Sequence, residues 1–577
     1  MDLAKQDKAR SYDVRHLWVQ SDGLRMGMNW SEGDLDKLQI LVEDVWGESH
    51  PGSFHLDRLT EEVRVGIWES GGRPASFHVT DICDGWANGH DGMNFILASR
   101  EAMADMVEIH ASVIPWDGMV LISSCDKSIP AHLKAAARMD IPCVHVPGGS
   151  MRPGPNLTNS ILGDVTALRE QGRISDREVR DRQLTCAPTC GACQFMGTAS
   201  THQCMSEALG MALPGAALAP ATMSVSLHYA RKSGQAIMNL ARKGITARQI
   251  LTREAFENAI MVHAAIGGST NALLHLPAIA AEMDMDLPLT LFDHYNKIIP
   301  HLAWVQPSGP YPTEVFWFAG GIPLVQWYLR DYLHLDVMTV TGKTLGENLE
   351  ELEKSGFFER YVGFLGNYKV ERDEVINPPE KSTLTGSIAV LYGNLAPEGA
   401  VIKYSAVPKE MMHHTGPARV FDREEDCFKA VTGGQVVPGD VLVIRYEGPK
   451  GSGMPEQIMV TEAIVADPAL ASTTALITDG RYSGGTRGPC IGHVCPEAVD
   501  GGPIALLKDK DIIEIDIPNR KLNIVGLEGK KATPEEVEQE LARRRATFKP
   551  PAPRYTRGVL GRFTRGSRGS AKGAGLV

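Results

Sequence analysis

Cys125, Asp126 and Lys127 are consecutive and place a thiol, a carboxylate and an amine directly after the run Asp117-Gly118-Met119-Val120-Leu121-Ile122. A thiolate favours soft metals and a carboxylate hard ones, so the triplet suits catalysis better than packing. Three more thiols share the short loop Cys186-Ala187-Pro188-Thr189-Cys190-Gly191-Ala192-Cys193. They are enough to hold a soft metal or most of an iron–sulfur cluster, with Cys125 as a further ligand, although a structural zinc site or buried free thiols fits the spacing equally well. Asp84 in Cys83-Asp84-Gly85, Asp126, and Glu456 in Gly453-Met454-Pro455-Glu456 sit in glycine-bearing turns, free to converge on a hard cation such as Mg²⁺. Taken singly, each is an ordinary turn or capping residue. Their force comes from being read with Cys125 and Lys127.

The segment from Thr478 to Gly488 follows the apolar run Ala475-Leu476-Ile477 and is rich in turn-forming and anion-binding residues. Its glycines let backbone N–H groups approach a ligand, Arg481 and Arg487 can bind a carboxylate, and Ser483 can be activated if a metal lowers its pKa. A plain glycine-rich turn is the bland alternative. Gly267-Gly268-Ser269-Thr270-Asn271 reads as a helix start that receives an anion. A Walker motif and a GxGxxG fingerprint are both missing, so a nucleotide is not implied.

Elements must position these groups. Gly118 to Ile122 reads as a buried strand, Pro130 to Met139 as a helix with proline in its first turn, and Ile141 to Val146 as a second strand. The triplet then lies beyond the carboxyl end of the first strand of a βαβ unit, where open parallel sheets hold ligands. Helix-like stretches at Ala199 to Met211 and Arg248 to Ala265 continue an α/β pattern through about residue 380, and short β-rich runs follow at Gly386–Tyr392, Val441–Tyr446 and Ile512–Ile517. The expected fold is α/β: residues 1–380 form a large domain with an open parallel sheet, and residues 381–577 a smaller, mostly β, barrel-like domain carrying the serine loop. Thr533, Pro534 and Glu536 signal a capped helix, and the basic, glycine-rich stretch beyond Lys549 reads as mobile.

A length of 577 residues implies more than one domain, and 43% hydrophobic with 22% charged residues is ordinary for a globular protein. The net charge of -12 argues against nucleic acid as a partner. Met1 to Arg15 has no apolar leader and no run is long enough to span a membrane, so a cytoplasmic enzyme is expected. Ten cysteines in so long a chain are too sparse for a disulfide scaffold.

Cys125-Asp126-Lys127, Thr189-Cys190-Gly191-Ala192-Cys193, Gly267 to Asn271 and Thr478 to Gly485 together resemble the dihydroxy-acid dehydratase and phosphogluconate dehydratase family, in order and over nearly the whole chain. The resemblance implies that Cys125 and Cys193 bind an iron–sulfur cluster, that Asp84, Asp126 and Glu456 bind Mg²⁺ with Lys127 contributing as a carbamate, and that Ser483 is the base. Family members with a [2Fe–2S] cluster carry a cysteine where this chain has Gly52, in Pro51-Gly52-Ser53-Phe54-His55-Leu56. A [4Fe–4S] cluster is therefore favoured over [2Fe–2S], with a third thiolate from Cys83, Cys186 or Cys190. The stretch Cys193 to Thr201 looks more like the sugar-acid branch, so an aldonate, first D-xylonate, is the expected substrate and a 2-keto-3-deoxy acid the product. Polar residues Thr198, Ser200 and His202 would hydrogen-bond the sugar hydroxyls. The alternatives are the branched-chain dihydroxy-acid dehydratase, with the same chemistry on an apolar substrate, and a non-catalytic redox sensor. Relatives of this kind are homodimers or homotetramers.

Overall fold

The computed structural model describes residues 10–155, 158 and 160–576, so the reading of residues 1–9 lies outside it. Four parallel strands, β1 (Gln39–Asp44), β2 (Arg73–His78), β3 (Gly118–Ser123) and β4 (Cys143–Pro147), form a sheet in the order β2-β1-β3-β4. Every residue of β1, β3 and β4 is buried, as the continuous apolar runs require of a sheet covered on both faces. The helix Ser128–Met139 makes the crossover from β3 to β4; Pro130 sits in its first turn, where a missing N–H is tolerated, and Asp140 ends it in the left-handed conformation.

The second sheet has nine strands: β5 (Ala389–Leu391), β6 (Gly399–Ile402), β7 (His413–Phe421), β8 (Val441–Ile444), β9 (Ala475–Thr478), β10 (Cys490–Cys495), β11 (Ile512–Asp516), β12 (Lys521–Leu527) and β13 (Lys530–Lys531). β7 to β10 are parallel and adjacent, with antiparallel pairs on either side. Tyr392, just past β5, bridges Lys521 in β12, so the sheet curls back towards itself. An α/β molecule with two sheets matches the sequence expectation. The Cys125 triplet follows the carboxyl end of β3 and the serine loop follows that of β9.

Some elements differ in extent. The helix expected at Arg248 to Ala265 is interrupted at Leu251–Thr252, because the Thr252 hydroxyl accepts from Ala255 N and starts a new helix, Arg253–Ile266. The capping box at Thr533 and Glu536 is present. The stretch beyond Lys549 departs from expectation: Gly558–Gly566 is helical, Leu560, Phe563 and Ala574 are buried, and Arg100 donates to the carbonyls of Gly573 and Ala574 at 3.0 and 2.9 Å. Its partner is the fold itself, namely the buried Arg100 on the helix Asn94–Val113. Among the described residues no helix is long and apolar enough to cross a membrane.

Candidate active site

Asp84 opens a short helix and is almost fully buried. Its Oδ2 accepts from Lys127 Nζ at 2.9 Å and faces both terminal nitrogens of Arg481 at 3.4 Å. Arg481 is paired in addition with Glu456, and its Nε donates to the Met454 carbonyl at 2.7 Å. Asn271 Nδ2 donates to Glu456 Oε1 and to Thr198 Oγ1, each at 2.7 Å. Burial pushes the Asp126 carboxyl well up, and the nearby Asp84 and Glu456 add to the shift. Burial likewise raises Glu456 despite Arg481, whereas Lys127 and Arg481 outweigh burial and hold Asp84 below its usual value. Three carboxylates thus crowd two cations, and Asp84 Oδ1 is buried without a partner. That donor set, all oxygen and with negative charge in excess, fits a hard cation such as Mg²⁺.

The thiols meet next door. One ring nitrogen of His50, Cys83 Sγ and Cys125 Sγ lie within 4.8 Å of one another. A hydrogen bond between the two thiols lowers Cys83 to about 7 and raises Cys125. A Cβ at Gly52 would stand 3.5 Å from Cys125 Sγ and 3.0 Å from His50 Nδ1, so residue 52 borders the same spot. Gly191 N donates to the Pro51 carbonyl at 3.0 Å, which lays the Cys190–Cys193 loop against this segment. Among the described residues neither Cys186 nor Cys190 belongs to a comparable donor group; the Cys186 thiol faces the Gln183 carbonyl at 3.8 Å. Two paired thiols beside the vacant side-chain position of Gly52 fit an iron–sulfur cluster better than isolated buried thiols.

A cavity of about 430 Å³ opens beside the carboxylates. Asp84, Asp126, Glu456, Cys193 and Ser483 line it, and Phe195, Ile458 and Met459 supply apolar wall. Lys127 contacts Asp84 from within the protein. The serine loop is held tightly: a Cβ on Gly484 would come within 2.7 Å of Ser269 and 2.9 Å of Gly197 Cα, so only glycine fits. Gly485 N donates to Ser483 Oγ at 3.3 Å.

Three site expectations are corrected. Arg481 is consumed by Asp84 and Glu456 and is not presented to a ligand carboxylate. Gly267 is a left-handed helix end, and Asn271 serves the carboxylate Glu456, so that turn does not open as an anion site. Thr198, Ser200 and His202 have internal partners: Thr198 Oγ1 meets Ser269 and Asn271, Ser200 donates to the Cys193 carbonyl, and His202 Nδ1 bonds the Thr198 carbonyl. His50, Asn271 as a carboxylate partner, and the buried Lys403 behind the serine loop had no sequence signal.

Family models for the dihydroxy-acid/6-phosphogluconate dehydratase N-terminal and C-terminal regions match residues 37–348 and 374–574. The chain belongs to this family. As a family member it is a dehydratase, a hydro-lyase, which sets the redox-sensor alternative aside. It is 46% identical to dihydroxy-acid dehydratase 1 of Methanosarcina acetivorans over 95% of this chain and 96% of that one. Identity is 42% to the dihydroxy-acid dehydratase of Methanococcoides burtonii over 99% of both chains, and 43% to that of Caldanaerobacter subterraneus over 96% of both. Those names overturn the sugar-acid expectation. The structure agrees with them in part, because Ser200 and His202 are engaged inside the protein and the cavity, which Thr198 lines, has a partly apolar wall.

Proposed function

We propose that this dehydratase converts a 2,3-dihydroxy acid with a short branched alkyl end, such as 2,3-dihydroxyisovalerate, into the 2-keto acid. The observation that carries this reading is the mixed lining of the cavity, where Phe195, Ile458 and Met459 give apolar wall beside the carboxylates and Ser483. A polyhydroxylated chain against that wall would leave its hydroxyls unpaired, at about 1–3 kcal/mol each.

Asp84, Asp126 and Glu456 would hold Mg²⁺, with Lys127 adding an oxygen ligand as a carbamate; Cys125, Cys193 and Cys83 would hold the cluster. When bound, Mg²⁺ and the cluster supply Lewis acidity towards the substrate carboxylate with its C2 oxygen and towards the departing C3 hydroxyl, respectively. Ser483 Oγ takes the C2 proton. Arg481 and Asn271 aim Glu456, and the clamp on Gly484 fixes where Ser483 stands. The apolar wall takes the alkyl end and keeps water from the reacting carbons. The enol so formed tautomerises to the keto acid.

Cys83 is favoured as third thiolate over Cys186 and Cys190 because it alone of the three is paired with Cys125. Glycine at position 52 supports the [4Fe–4S] form. Exposed apolar side chains at Leu17, Trp18, Val19 and Leu24 support a homodimer or homotetramer, which light scattering tests. The decisive experiment compares kcat/KM for 2,3-dihydroxyisovalerate, D-xylonate and D-gluconate with anaerobically prepared enzyme. The branched acid should win by at least about 10²-fold; preference for either aldonate refutes the proposal.

A further inference from the structure

Behind the serine loop stands a lysine that neither the carboxylate cluster nor the thiols use. Lys403 directly follows β6, is only 7% exposed, and its Nζ donates to the Gly484 carbonyl at 3.2 Å. It shares a small cavity with Ser483, Tyr482, Thr486 and Cys490. Ser483 therefore lines two cavities, the one with the carboxylates and the one with Lys403.

No carboxylate pairs with Lys403 among the described residues. The groups that face it are uncharged near neutral pH. Burial lowers His263 and His301 to about 4, and it pushes the Tyr482 hydroxyl and the Cys490 thiol up. Burying an ammonium without a counter-charge is expensive, and burial alone brings Lys403 down to about 7. Such a group in a packed position is better explained by function than by stability. The same wall is otherwise rigid: His263 Nε2 bonds the Ser269 carbonyl at 2.9 Å, and Ser269 blocks any side chain at Gly484.

We infer that Lys403 is a positioning residue for Ser483, fixing the turn through the Gly484 carbonyl and providing the positive partner of the Ser483 oxygen when that oxygen gives up its proton. The inference rests on the reading of Ser483 as the base. Lys403 acts from the face opposite the substrate and does not touch it. The two ionisations are coupled: loss of the serine proton gives the ammonium the counter-charge it lacks, and the ammonium lowers the cost of the alkoxide. The proton leaves the pair at a lower pH than it would leave the serine alone.

The test compares the parent, Lys403→Gln, Lys403→Met and Ser483→Ala as holoenzymes matched for iron content, with kcat and KM for 2,3-dihydroxyisovalerate measured across pH. Lys403→Gln is similar in length, keeps a donor for Gly484 and removes the charge, so it carries the test even if Lys403→Met fails to fold. The expected result is a kcat loss of about 10-fold or more in Lys403→Gln and about 10²-fold in Lys403→Met, with KM within about three-fold. The acid limb of the kcat profile should move up by about one pH unit or more in Lys403→Gln. A kcat within about three-fold of the parent, or a lowered kcat with an unmoved acid limb, overturns the inference. Parental turnover in Ser483→Ala would refute the base reading itself. Loss of turnover in Ser483→Ala with a parental Lys403→Gln would refute only the role of Lys403.

Discussion

Arg481→Met tests the carboxylate cluster most directly. Arg481 is fully buried between Asp84 and Glu456, and without it Asp84 keeps only Lys127 and Glu456 only Asn271. Leaving buried charge uncompensated costs about 3–5 kcal/mol. The sign with pH follows from the two carboxylates. Asp84, held below its usual value by Lys127 and Arg481 against burial, stabilises the fold above its unfolded pKa, and this contribution is lost as pH falls through the folded value. Removing Arg481 raises that folded value, so the contribution is lost at higher pH. Glu456, already raised by burial, rises further and becomes a liability at neutral pH. The deficit of the variant is therefore full at alkaline pH and shrinks at acidic pH, as the two carboxylates take up protons through their raised folded values. A cation bound by the same oxygens would also compensate, and at 100 times its Kd a ligand contributes about 2.7 kcal/mol. Urea unfolding of parent and variant, with Mg²⁺ or with a chelator and at alkaline and acidic pH, measures these quantities. A deficit below about 1 kcal/mol, or one indifferent to both Mg²⁺ and pH, refutes the reasoning.

Ser483→Ala should keep the visible absorbance of the cluster and lower kcat by about 10²–10⁴-fold, and turnover within a few-fold of the parent would assign the C2 proton to another group. Cys83→Ser should lose most of its iron and acid-labile sulfide while Cys186→Ser and Cys190→Ser retain theirs; equal retention in all three would refute Cys83 as ligand. Ile458→Ser, which puts a hydroxyl in the apolar wall, should raise KM for the branched acid about ten-fold, and an unchanged KM would place the alkyl end elsewhere. Replacing the buried Arg100 by methionine should release the segment around Gly573 and Ala574 to limited proteolysis, since its two carbonyl contacts are lost; unchanged resistance would show that Leu560 and Phe563 suffice.

The βαβ unit around Cys125 was legible because apolar runs, a first-turn proline and a turn lie within thirty-odd residues of each other. The serine loop was legible from its glycines for a similar local reason. The choice among Cys83, Cys186 and Cys190 was not: Cys83 follows β2 and Cys125 follows β3, and their meeting depends on β1 pairing with both strands. Arg481 could be seen to bind carboxylates, but not that both would come from its own chain. The substrate expectation failed on Thr198–Ala208, a helix buried all round, where polar residue types carry no information on which faces a ligand. Beyond Lys549 the basic and glycine-rich composition masked a few apolar residues, Leu560 and Phe563, that suffice to seat the segment.

The seating of residues 558–576 on Arg100 also sets a schedule for synthesis. The segment contacts the buried Arg100, Glu101 and Lys134: Arg100 donates to two of its carbonyls, Leu576 N bonds Glu101, and Gly575 lies beside Lys134. Ribosomes add about 5–20 residues each second, so roughly twenty seconds to a minute and a half separates Cys125 from this segment. During that interval Arg100 lacks two carbonyl acceptors, and Glu101 a backbone donor, that the finished fold supplies.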